Sequence, residues 1–363
     1  MNKIFPLPFS SFMRIANSNG GLSAMGLLNT APWLLKTICF EPLRWIEILT
    51  QKKKIDQHKI IESPVFILGF YRSGTTYMQQ LFMQDKRLGF TSSYQMVFPE
   101  LMLSFERAMT PGLEIISRLF KIQNPIHRIP LTWNSAGEED VAMTTMVSPL
   151  ATQWGYFFPE RMNYFFEKYV LGEGGVSNEE AENWKQCYFY LLKKISLCNR
   201  SKKMILKNPP NTARIKLLLS LFPNAKFIHI YRNPFDVYAS NKKLWQVIRK
   251  IFMLGRSDSV NFNDLILYTY SKIMERYIED KKFIPAGNLT EIRYENFIER
   301  PLETMKNIYN QLNLEEFGQC EPGMIKYINQ QKNYTLLKHQ LTEEETKMVS
   351  EKWKPVIEHF GSN

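Results

Sequence analysis

Cysteine is scarce and scattered in this chain. Cys39, Cys187, Cys198 and Cys320 lie far apart and form no C-x-x-C pair. That excludes a zinc ribbon and a disulfide framework, and it suits a reducing, cytoplasmic setting. No stretch approaches 18 uninterrupted apolar residues, so no membrane span is expected. The first residues, MNKIFPLPFSSFMRIANSNGG, hold no clean apolar core, so no signal peptide is expected, and the sequons at Asn288 and Asn333 then carry no meaning. There is no low-complexity linker and no internal repeat. A long basic tail and an aromatic–basic repeat are also missing, which argues against nucleic acid as a partner.

What the chain does have is enough apolar residue to bury a core: 44% of its 363 residues are hydrophobic and 22% charged. Lys plus Arg exceed Asp plus Glu by 11. Such a surplus is dispersed solubility charge, or it marks an anionic ligand or a membrane surface.

The stretch FILGFYRSGTTYMQQLF, residues 66–82, carries the first chemistry. Val65 to Leu68 form an apolar run too continuous for a sheet with one wet face, so they read as a buried parallel strand. Gly69 and Gly74 stand at phosphate-loop spacing. From Thr75 to Gln84, a helical stripe gathers Tyr77, Met78, Leu81 and Phe82. A glycine loop entering a helix offers backbone N–H groups and the positive end of the helix dipole to an anion. Ser73, Thr75 and Thr76 add hydroxyl donors, and Arg72 adds a guanidinium fork suited to a tetrahedral oxyanion. The lysine that a nucleoside-triphosphate loop needs after Gly74 is absent, and no second carboxylate for magnesium stands at a convincing place. A small-molecule kinase of phosphate-loop type is therefore the alternative reading, and a non-catalytic nucleotide-binding or lipid-surface protein is a third.

Three further strands are legible: KKMILK (202–207), AKFIHIY (225–231) and LTEIRYE (289–295), with helical stretches such as 211–222 and 235–251 between them. Alternating strands and helices imply an α/β fold: a phosphate-loop-like parallel sheet flanked by helices, with helical insertions shaping the acceptor site. We expect one domain over 1–363, with a helical extension at 1–60 and a catalytic core at 62–363. Residues 22–50 are apolar, aromatic and helically spaced, and the basic run QKKKIDQHK follows. They read as a helix packed on the domain, as a flap over a hydrophobic site, or as a surface that leans on lipid. The strand at 225–231 delivers Arg232. Asn233 can cap the next helix, Pro234 suits its first turn, and Ser240 follows eight residues after Arg232. Together, Arg232 and Ser240 can hold a second phosphate. His229, inside the strand, reads as core.

FILGFYRSGTTYMQQLF, LKNPPNTARI, FPNAKFIHIYRNPFDVYAS and IRYENFIERPLETMKNIYNQLNL resemble, in order, the motifs of sulfotransferases that use 3′-phosphoadenosine 5′-phosphosulfate, and of their bacterial branch acting on small or lipid-like acceptors. The resemblance runs from about residue 62 to the end. It implies that Arg72, Ser73, Gly74, Thr75 and Thr76 cradle the 5′-phosphosulfate, that Arg232 and Ser240 hold the 3′-phosphate, and that Tyr294 lies near the adenine. Where this chain has Arg72 the family often has lysine. The implied reaction leaves adenosine 3′,5′-bisphosphate and needs no metal. Lys207 is a candidate donor to the charge that develops on the transferred group. An alcohol acceptor needs a base. Relatives in this branch carry an acidic cluster where this chain has Glu138, Glu139 and Asp140, so Glu138 is the first candidate and Glu139 the second; His127, eleven residues earlier, is the rival. Acids also favour a helix N-terminus for purely structural reasons. Aromatics crowd the middle of the chain: Trp133, Trp154, Tyr156, Phe157, Phe158, Tyr164, Phe165 and Phe166. Most must be core, and some could line an apolar pocket. The expected acceptor is a hydrophobic alcohol, sterol-like, lipid or phenolic, with carbohydrate the alternative and peripheral membrane contact a further expectation.

Overall fold

The structure is a computed structural model and describes residues 8–123, 130–146, 148–314, 316–331 and 341–361. These group into two compact units. One is Glu62–Phe90, Lys202–Lys243 and Phe262–Asn363. The other is Met1–Ile61, Thr91–Ser201 and Leu244–Asn261.

The first unit is built on a five-stranded sheet. Its strands are β1 (Val65–Leu68), β2 (Leu88–Gly89), β3 (Lys203–Lys207), β4 (Lys226–Tyr231) and β5 (Leu289–Arg293), in the spatial order β2-β3-β1-β4-β5. Each neighbouring pair is parallel. β1 is wholly buried, as its unbroken apolar run requires. Side chains alternate across a sheet with period two, and both faces are covered. On one face Val65, Ile67, Ile205, Ile228 and Ile230 pack with Met78, Leu81 and Phe82 of the helix Thr75–Phe82 and with Met305 and Ile308 of the helix Pro301–Gln311. On the other, Phe66 stacks on Phe227 at 5.7 Å, and His229 stacks on Tyr277 of the helix Phe262–Asp280 at 3.7 Å. His229 is fully buried, as a core histidine should be. Burial, with a smaller contribution from the charge of Lys281, holds its pKa down at about 3, so the ring is neutral at ordinary pH.

The edge strand β5 is only partly covered. The helix Thr75–Phe82 stops two residues short of the expected Gln84: Gln84 donates its N–H to Leu81 in a closing turn. The expected helix 211–222 divides into a 3-10 turn, Pro209–Ala213, and a helix, Ile215–Leu221.

The second unit contains no strand among its described residues. Its long helix Ala24–Gln57 begins at Ser23, whose hydroxyl accepts from the Gly26 N–H, and it runs through the basic segment instead of ending near residue 50. The helices Glu106–Leu119, Glu139–Thr145 and Asn178–Cys198 follow. Of the aromatics expected in the middle of the chain, Trp154, Phe158, Phe165 and Phe166 are core, while Tyr164 is exposed.

Candidate functional site

In the sheet unit the chemistry gathers at the carboxyl ends of the strands, where ligands of open parallel sheets bind. Register explains the gathering. Ile67 lies opposite Lys207, Leu68 opposite His229, and Tyr231 opposite Arg293. The chain leaving β1, β3, β4 and β5 therefore begins with the glycine loop, Asn208, Arg232 and Tyr294 respectively.

The loop from Gly69 to Gly74 is held in a conformation that most side chains could not share. Gly69 has φ 145° and Gly74 has φ 98°. A Cβ on Gly69 would stand 2.5 Å from the Ile230 carbonyl oxygen; one on Gly74 would stand 2.3 Å from the Tyr294 ring. Arg72 adopts φ 71°, a left-handed conformation that costs a non-glycine residue about 1–2 kcal/mol. Neighbouring side chains hold it there. Arg232 donates to the Arg72 carbonyl at 3.3 Å, and Asn241 donates to the Tyr71 carbonyl at 3.0 Å. Gly69 donates its N–H to Thr212 Oγ1 at 2.8 Å.

The two stretches singled out as anion pockets meet in space. Arg72 Nε donates to Ser240 Oγ at 2.9 Å, across 168 positions of sequence. The Arg232 guanidinium lies over the Tyr294 ring, 4.6 Å from its centroid, and reaches Asp236 at 3.2 Å. Arg232 Nε is buried and finds no hydrogen-bond partner among the described residues. A buried donor left in this way costs about 1–3 kcal/mol, which an incoming anion would recover. Asn233 Oδ1 accepts from the N–H groups of Phe235 and Asp236, the helix cap its sequence position suggested. The backbone N–H groups that open the helix Thr75–Phe82 lack partners within that helix by geometry alone, and Ser73 and Thr75 are buried beside them. Two guanidinium groups, a helix start, a glycine cradle and an orphaned donor fit a ligand with more than one anionic group. Tyr294 packs against Gly74 and Arg232, which places it at the loop.

Lys207 is buried at the end of β3, not solvated. The polar residues after it are interior as well: Asn208 and Arg214 both turn to Asn211 Oδ1, at 3.5 and 3.2 Å. Thr212 and Asn241, which hold the loop, escaped the sequence reading. A threonine after a Pro-Pro turn and an asparagine in a helix carry no mark of a long-range partner. Glu295, which accepts from the Asn233 N–H at 3.0 Å, escaped it for the same reason.

The acidic trio belongs to the helical unit. Glu138 precedes the helix Glu139–Thr145 and is partly exposed, whereas Glu139 and Asp140 are fully buried. Tyr188 donates to Glu139 Oε1 at 3.0 Å. Burial, with a smaller contribution from the like charges of Asp140 and Glu138, lifts the Glu139 carboxyl from 4.5 to about 7. His127 lies outside the described residues. Among the described residues no group of three or more His, Cys, Asp or Glu is arranged to hold a metal ion.

Glu139 makes the stability of the fold depend on pH. From pH 4.5 to about 7 an unfolded chain gives up this proton while the folded protein keeps it. Stability from this group is complete below that window and is lost as pH rises through it, by about 3 kcal/mol. Glu139→Gln keeps the acceptor for Tyr188 and removes the titration. Urea midpoints measured at both ends of the window should therefore fall further in the native protein than in the variant; parallel profiles would contradict the buried, protonated carboxyl.

The family model of the sulfotransferase family matches residues 64–318. The chain is 29% identical over 311 residues to the omega-hydroxy-beta-dihydromenaquinone-9 sulfotransferase Stf3 of Mycobacterium bovis, covering 85% of this chain and 78% of that protein. Two solved structures share the fold. Sulfotransferase STF1 of Mycobacterium tuberculosis H37Rv superposes with a TM-score of 0.72 at 16% identity, covering 98% of this chain and 93% of that one. Sulfotransferase STF9 of Mycobacterium avium gives 0.72 at 15% identity, covering 88% and 82%. Since the matched segment takes in all five strands and the glycine loop, and spans well over half of the chain, this protein belongs to the sulfotransferase family.

Proposed function

We propose that this sulfotransferase uses 3′-phosphoadenosine 5′-phosphosulfate as its donor and a hydroxyl of a hydrophobic, lipid-like small molecule as its acceptor. The observation that carries the donor assignment is the junction of the two anion-binding stretches, Arg72 Nε on Ser240 Oγ with Arg232 beside them. A donor with phosphates at both ends of one adenosine needs two such pockets adjacent to each other.

In this reading Ser73, Gly74, Thr75 and Thr76 bind the 5′-phosphosulfate through the start of the helix, and Arg232 and Ser240 hold the 3′-phosphate. Arg72, engaged by Ser240, spans both. Tyr294 closes over the loop. The bound donor supplies a sulfuryl group, whose bond to the 5′-phosphate oxygen breaks as the acceptor oxygen bonds to sulfur, the electron pair leaving with that phosphate oxygen. Lys207 supports the charge that gathers on the leaving side. Glu138, the one carboxylate of the acidic trio with access to solvent, takes the acceptor's proton, while Glu139 is sealed in the interior. The four cysteines are free, which fits work in the reducing cytoplasm.

The acceptor class rests on the Stf3 relative, whose name specifies a hydroxylated menaquinone. Incubation with radiolabelled phosphosulfate donor and a mixed panel of hydroxylated quinones, sterols, phenols and sugars tests both halves. Label should move to a hydrophobic alcohol. Label on sugars alone would overturn the acceptor class, and no nucleotide binding at all would overturn the donor.

A further inference from the structure

The long helix Ala24–Gln57 is packed the wrong way round for an ordinary surface helix. Three of its polar side chains go inward. Thr30, Arg44 and Glu47 are buried: Glu47 pairs with Lys194 at 2.7 Å and accepts from the N–H groups of Leu103 and Ser104. Eight of its large apolar side chains go outward. Leu28 is 70% exposed, Leu35 63%, Ile38 65%, Trp45 46% and Leu49 78%.

The geometry of that face narrows its occupant. Leu28 to Leu49 spans about 32 Å of helix at 1.5 Å per residue. At 3.6 residues per turn the exposed apolar positions fill an arc of about 160°, much wider than the two-position seam that a partner helix covers. The exposed Pro42 within the arc also breaks the regular knob pattern such a seam needs. At its carboxyl end the helix carries Lys52, Lys53 and Lys54, all exposed, and Lys53 falls on the apolar arc itself. A broad apolar arc that ends in clustered lysines complements a layer that is greasy inside and anionic at its surface. The same chemistry recurs elsewhere in this unit: Ile115, Ile116, Leu119 and Phe120 are exposed around the carboxyl end of the helix Glu106–Leu119, with the exposed Arg118 and Lys121 among them. No described helix is long and apolar enough to cross a membrane, so the contact is with the surface.

We propose that the outward face of the helix Ala24–Gln57 docks the enzyme on anionic phospholipid membranes, with the helix lying in the headgroup plane. Docking sets where the enzyme works and does not depend on which acceptor it sulfates. The test is vesicle flotation of the full chain, comparing phosphatidylcholine with phosphatidylcholine–phosphatidylglycerol mixtures. The native protein should float with the anionic vesicles, and less so as salt rises. Replacing Lys52, Lys53 and Lys54 by glutamine should lower partitioning by about a hundredfold at low salt. Leu35→Glu with Leu49→Glu should lower it at least ~10-fold. The replaced side chains are exposed, so the thermal midpoints of all variants should match the native protein. Native protein that stays unbound to anionic vesicles overturns the proposal, as does a Leu35→Glu/Leu49→Glu variant that folds and floats unchanged. Sedimentation without lipid covers the other occupant: a dimer that the leucine replacements disperse would assign this face to a second copy and overturn the lipid assignment.

Discussion

Glu138→Gln is expected to leave nucleotide binding unchanged and to lower turnover by about 10²–10⁴-fold, the usual worth of a positioned general base. Gln matches Glu in shape but cannot take a proton. The residue stands just before the helix Glu139–Thr145 and is only partly buried, so the exchange leaves the interior alone. Its neighbours supply the contrast. Glu139 is sealed inside with Tyr188 on its carboxyl, and Asp140 is equally buried. With no surface open to solvent, the Glu139 carboxyl offers an acceptor no approach. Glu139→Gln should accordingly change the pH dependence of stability far more than it changes the rate. A fully active Glu138→Gln enzyme would move the base elsewhere, with His127 the next residue to replace.

Arg232→Ala is expected to weaken binding of adenosine 3′,5′-bisphosphate by about 10–150-fold, since a charged hydrogen bond contributes about 1.5–3 kcal/mol. The loss has two sources. The guanidinium itself goes, including the Nε donor that has no partner among the described residues. The Arg72 carbonyl also loses its donor, and with it one of the contacts that keep Arg72 in its left-handed conformation. Arg232→Lys should recover only part of the affinity, because an ammonium keeps the charge and loses the planar fork. Calorimetry reads both variants. Unchanged affinity in Arg232→Ala would remove this residue from the nucleotide site.

Much of the sheet unit is legible in the sequence. The bounds of β1 coincide with its apolar run because both faces of that strand are covered, so no polar residue interrupts it. β2 is only two residues long, and a strand that short leaves no periodicity to read. The helix Ala24–Gln57 outruns its apolar segment because Lys and Gln are good helix formers, so hydropathy ends before helicity does. At 209–213 the stiff Pro209–Pro210 pair, with Asn211 and Thr212 engaged by Arg214 and Gly69, tightens the chain into a 3-10 turn where a helix had been expected. In the site, the glycine loop is readable because its strand, spacing and helix are local. The pairing of Arg72 with Ser240 spans 168 positions, and no local pattern announces it. The inverted burial of the long helix was not legible, since an amphipathic pattern does not say which face the domain takes.

We propose that the glycine loop and the Arg232–Ser240 stretch form one nucleotide site. A crystal structure of the protein with adenosine 3′,5′-bisphosphate tests it directly. One phosphate should lie on the backbone N–H groups of Gly74 to Thr76 and the other on Arg232 and Ser240, bridged by a single adenosine. Nucleotide bound with either stretch untouched would contradict it.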